Sequence, residues 1–168
     1  MDNIEAKREL VQETMSFLGA LACGMEETLG ETSTSISIKA GEKFGKSLSK
    51  GAAHTTNIQE ALAELDQLLV ANNCLWHIEC FKPSAQPEMT IPKDDGYEVM
   101  LVFRDCMIRQ ALFRYGHPQK GSLCHLTSGF LSAAMESITG NQSTVEIVHA
   151  GENACYKRLI IKTRENTK

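Results

Sequence analysis

SLCHLTSGFLSAAMESITGNQSTVEIVHAGENAC, residues 122 to 155, joins an apolar run of helical length to the first arm of a hairpin. Ser122 stands where a helix N-cap belongs, and Gly140 stands where such a helix would end. Thr144 to Ala150 and Ala154 to Thr163 then read as two strands around the turn Gly151-Glu152-Asn153. Four side chains of metal-ligand type fall on these elements: Cys124 in the first helical turn, then Glu146, His149 and Cys155 on the hairpin. A helix start facing a hairpin turn could bring them together.

Working outward, Asn3 to about Leu29 carries apolar residues at spacings of three, four and seven and predicts a long amphipathic helix closed by Gly30. Such a helix either packs on its own core or pairs with a second copy, so residues 1–30 are a candidate dimerisation element. A second helix is expected from about Ile36 to Lys50. Gly41 and Gly45, four apart within it, point to close approach by another helix. Asn57 can cap a third helix whose stripe is Ile58, Leu62, Leu65, Leu68 and Leu69, with Asn72 and Asn73 as terminators. Leu75 to Phe81 and Tyr97 to Phe103 read as strands able to pair, and the proline-bearing segment between them as a surface excursion. Asp105 can cap a short helix that ends at Gly116. The alternation of helices and hairpins predicts an α+β domain, an antiparallel sheet with helices packed on one side, over residues 31–168.

The totals bound the function. A chain of 168 residues is of one-domain size, and 42% hydrophobic with 23% charged residues is the composition of a globular protein. The net charge of −4 argues against binding nucleic acid directly. Lys43, Lys46 and Lys50 read as a solvated face around Glu42. No apolar run reaches the roughly 20 residues of a membrane span. The N-terminus MDNIEAKREL is acidic early and lacks an apolar signal core, so a cytoplasmic location is expected. There the six cysteines point to buried, metal-binding or redox-active thiols, not disulfides.

Zinc favours Cys, His and carboxylate ligands, and a helix N-terminus favours the thiolate that a metal needs. Against this, residues three apart on a straight strand face opposite ways, so a bulge or curl must turn Glu146 or His149 round. The residues alone leave two alternatives open: a metal site, or buried cysteines beside an exposed Glu-His pair. Cys106 and His125 are substitutes if the register differs.

Together, Cys124 with Gly129-Phe130, Gly140, Glu146 with a ligand-type residue three later, Gly151 and Cys155 form a pattern that resembles the 4-vinyl reductase-like domain family. The upstream AGEKFGKSL, followed by a helix and a strand, extends the resemblance over roughly residues 36–163. The resemblance implies a small-molecule-binding fold shared by nitric-oxide-signalling and Golgi-transport proteins. It implies a structural zinc on Cys124, Glu146, His149 and Cys155, closed to catalytic water, with His149 in place of the family's cysteine. It also implies a hydrophobic ligand beside the metal, for which Trp76, Phe103, Met107, Phe113, Phe130 and Met135 are the candidate pocket walls.

No nucleotide-binding loop is present, and haem is not expected because the tyrosine-serine-arginine signature of haem sensors is missing. The expected function is a sensory or carrier domain, acting as a homodimer and passing its output to a separate protein. The alternatives are an enzyme or cofactor-pathway protein acting on an apolar or tetrapyrrole-like substrate, and an adapter without ligand. The enzyme would use the thiol of Cys106 or Cys124 with His117 or His125 as base.

Overall fold

A computed structural model describes residues 2–74, 76–81, 88–104, 106–114 and 117–163, without the side chains of residues 2–8, 107, 110 and 114. In chain order the elements are α1 (Asp2–Leu29), α2 (Thr32–Leu48), α3 (Ile58–Ala71), β1 (His77–Cys80), β2 (Thr90–Lys93), β3 (Gly96–Arg104), α4 (Met107–Arg114), α5 (Ser122–Thr139), β4 (Gln142–Ala150) and β5 (Cys155–Lys162). They form the expected α+β architecture, with one five-stranded antiparallel sheet in the order β1-β3-β5-β4 and β2 also on β3. Helix α5 lies between the sheet and α2.

The core follows strand alternation. Val99, Leu101 and Phe103 of β3 and Leu159 and Ile161 of β5 point inward and meet Leu131, Met135 and Ile138 of α5. Each such side chain contributes roughly 1.5–3 kcal/mol by leaving water. On its other face α5 meets α2 through glycine. A Cβ added at Gly41 would overlap the Leu126 carbonyl, one at Gly45 the Phe130 carbonyl, and one at Gly129 the Ile38 carbonyl. The pair of glycines therefore does mark close helix approach.

Local signals explain most boundaries. The Asn57 side chain accepts from the N–H groups of Gln59 at 2.9 Å and Glu60 at 3.4 Å, which caps α3. Gly140 takes a left-handed conformation, φ 71°, and its N–H donates to Glu136 O, which closes α5. Helix α2 begins at Thr32, four residues before Ile36, so the polar link is shorter than expected.

Two local expectations are corrected. The excursion after Phe81 contains β2, whose Pro92 lies opposite Tyr97; β2 pairs only with β3, the edge setting in which a strand tolerates proline. Gly121, not Ser122, is the N-cap residue of α5, and it makes no side-chain cap bond. Glu26 of α1 supplies the acceptor instead, taking the Ser122 N–H at 2.6 Å. A carboxylate there also complements the positive end of the helix. The Asp105 cap and Gly116 stop lie outside the described residues.

Candidate functional site

β4 and β5 pair in register from Gln142↔Lys162 to Ile147↔Lys157, then resume at His149↔Tyr156 and Ala150↔Cys155. Val148 is the extra residue of a bulge. The bulge does put Glu146 and His149 on the same face, as two ligands three apart require. That face is the outer one: Glu146 sits opposite Arg158 and pairs with it at 3.4 Å, while Cys155 is buried on the inner face. The sheet therefore separates Glu146 and His149 from Cys124 and Cys155. Among the described residues no group of three or more His, Cys, Asp or Glu is placed to hold a metal ion. The four-residue zinc set does not fit this geometry.

The inner face brings together a different group. Cys106, Cys124 and Cys155 line one internal cavity with Phe103, Arg109 and Lys157, and Ile108, Thr127, Ile147 and Ala150 complete its wall. Its enclosed part measures about 10 Å³, room for roughly one water, and the unfilled space including its mouth is about 320 Å³. Among the described residues no carboxylate stands in the wall.

Lys157 is the unusual member. It follows Cys155 by two on β5, so alternation turns it inward, and it is only 2% exposed. Its Nζ donates to Thr127 Oγ1 and, at 3.3 Å, to Ser128 Oγ, both from α5. The same ammonium lies 4.7 Å from the centre of the Phe103 ring, within reach of the negative ring face. Burial lowers its pKa to about 8, with the three thiols pulling weakly the other way. Arg109 of α4 is 5% exposed; its guanidinium faces Cys155 and pulls that thiol's pKa down against burial, and its Nη1 is buried without a partner.

Cys124 and Cys155 do not neutralise these cations. Burial raises the Cys124 pKa and outweighs the nearby Lys120 backbone N–H and Lys157, so the helix start does not yield the expected thiolate. Burial likewise raises Cys155 above the usual thiol range. Burial first, and Lys157 second, lower the pKa of His125 and keep it from becoming a further cation. His117 lies elsewhere, with Nδ1 at 2.9 Å from the sulfur of Cys23 on α1, so it is no base for Cys106 or Cys124.

The expected pocket walls divide. Phe103 lines the cavity. Trp76 and Phe130 form an edge-on pair at 4.9 Å between centroids, and Phe44 closes on Phe130 at 5.2 Å, so these rings fill space between α2 and α5. The Trp76 Nε1 within that cluster is buried without a partner. Met135 is fully buried core, and Phe113 is 48% exposed on α4 and is not among the residues lining this cavity. The Met107 side chain lies outside the described residues. Lys157 and Arg109 were not among the residues picked out from sequence. The inward register of Lys157 is legible in the alternation Cys155, Lys157, Leu159, Ile161, whereas Arg109 beside Ile108 has no comparable signal.

No protein-family model and no curated protein matches the chain. Among solved structures, the crystal structure of the phenol-responsive sensory domain of the transcription activator PoxR with phenol is similar over 88% of this chain and 74% of its own. The TM-score is 0.57 at 12% identity, a likeness of fold. This chain shares the fold of that sensory domain.

Proposed function

We propose that the chain is a small-molecule-binding domain of sensory type, whose ligand occupies the cavity between α4, α5 and the β4–β5 hairpin. The observation that carries this is the cavity itself: unfilled space walled by Phe103, Ile108, Ile147 and Ala150, in a fold shared with a phenol-responsive domain. An apolar wall with a few convergent polar groups is the usual make-up of a ligand site. The enclosed volume admits a water and no more, so a larger ligand must push side chains aside and thereby changes the packing of α4.

A route outward starts at α1, which packs against both α4 and α5 and caps α5 through Glu26. The exposed side of α1 carries Leu10, Phe17 and Leu21 at spacings of seven and four, with Leu10 63% and Phe17 69% exposed. An apolar stripe of this kind marks an interaction surface, and α1 of a second copy is the occupant we assign to it. Ligand binding then biases the pairing of two copies, and a separate protein reads the result.

Titration of the full chain with phenol and with toluene, followed by methyl NMR, tests the ligand site. Saturable shifts at Ile108, Ile147 and Ala150, with Leu62 of α3 unmoved, are expected. Spectra unchanged by either compound up to its solubility, together with native mass spectra that show no small molecule leaving on organic extraction, would refute it. For α1, light scattering should give a dimer that Phe17→Glu converts to monomer; a monomeric wild type at all concentrations sinks the pairing.

A further inference from the structure

Two cations face the cavity, and among the described residues no carboxylate there balances them. Lys157 is held by two hydroxyls and a ring face, and Arg109 reaches one sulfur and leaves Nη1 unpartnered. Among the described residues, the titratable groups facing Lys157 are Cys106 ahead of α4, Arg109 on α4, Cys124 and His125 on α5, and Cys155 on β5. None is a carboxylate, and burial keeps Cys124 and Cys155 in the thiol form. Among the described residues, every Lys or Arg in an ion pair pairs at the surface, and neither Lys157 nor Arg109 is one of them.

A buried charge is ordinarily paired, because desolvation otherwise opposes keeping it charged. Water in a space of this size can satisfy a hydrogen bond or two but carries no charge. An anion brings both, since it accepts from the ammonium and from the guanidinium fork in one geometry. Phe103 and Ile147 on the same wall favour an apolar remainder.

Taking the cavity as a ligand site, we infer that its ligand is an amphiphile: an anionic head group, a carboxylate in the simplest form, held by Lys157 and Arg109, with an apolar body against Phe103 and Ile147. The two cations select the head group, and the apolar wall sets the affinity of the body. A neutral compound of the same shape leaves both cations unbalanced and binds more weakly.

Two matched pairs of probes test this on the full chain by calorimetry and methyl NMR: benzoate against benzamide, and hexanoate against hexanamide. Each carboxylate is expected to bind at least tenfold more tightly than its amide, and Lys157→Met to erase that preference. Arg109→Gln reports on the same preference independently should the first variant fold poorly. Amides that bind as tightly as carboxylates overturn the head-group assignment and leave the ligand site standing. A carboxylate preference that survives both substitutions overturns the assignment to these two residues. If no probe of either kind binds, the ligand site and its head-group selectivity fall together.

Discussion

Helix α5 meets α2 on one face and the β5 strand on the other, and the two seams are built on opposite principles. Toward α2 the contact is glycine against backbone at Gly41, Gly45 and Gly129, with Phe44 and Phe130 stacked beside it. Toward β5 the contact includes a lysine, an arginine and three thiols around unfilled space. The first seam is a packing solution, with the Trp76 Nε1 beside it left without a partner. The second retains a buried charge that an apolar residue of the same size would avoid, which is why function is assigned there.

Adding a side chain to the first seam should have the largest effect. Gly129→Val places a branched side chain against the Ile38 backbone, which cannot withdraw as a flexible side chain could. A loss of about 3 kcal/mol or more is expected in urea denaturation, at the upper end of overpacking effects. If the loss is under about 1 kcal/mol, the helices are not locked by close approach and the contrast between seams disappears.

Changing the second seam should move stability the other way. Lys157→Met keeps the volume and removes the charge, and is expected to raise stability at pH 7 by about 2 kcal/mol. Burial lowers the folded-state pKa from 10.5 to about 8. Below pH 8 both folded and unfolded chains hold the proton, so the full penalty of burying the ammonium is present. Between about 8 and 10.5 the unfolded chain still binds a proton that the folded chain has released, so wild-type stability rises with pH. The advantage of the variant should therefore shrink across that window and vanish above it; an advantage independent of pH would mean that packing, not charge, is responsible.

Smaller effects mark the ends of the comparison. Glu26→Ala removes the acceptor for the Ser122 N–H and should cost about 1 kcal/mol, less at high salt. Gly24→Ala is the control for glycine as such: nothing lies within 4 Å of an added Cβ, so a gain of roughly 0.5–1 kcal/mol is expected from helix propensity alone. A loss at Gly24 would show that α1 packs more closely than its exposure indicates.

Much of the first seam was legible in the sequence, because its signals are local. Glycines four apart, the Asn57 cap and the Gly140 stop are each read within a turn or two of chain, and the hairpin alternation fixed the sheet. What sequence missed depends on neighbours far along the chain. The cap of α5 comes from Glu26, ninety-six residues before Ser122. Strand β2 depends on β3 to hold a proline-containing segment extended. At the candidate site Cys124 and Cys155 line one cavity, whereas the side of the sheet taken by Glu146 and His149 was not legible. Glu146 faces outward by alternation and the bulge at Val148 turns His149 to the same side, and nothing in VEIVHA specifies which residue bulges. Lys157 was readable from period-two alternation, yet charge argued for the surface, and charge is what the buried site retains.

The most direct test is the titration of Lys157 itself, followed by NMR of its labelled side chain in the free protein and with benzoate. A midpoint of about 8 in the free protein, raised when benzoate binds, is the expected result. A midpoint near 10.5, the ordinary lysine value, that benzoate leaves unmoved would contradict both the buried cation and the anionic ligand assigned to it.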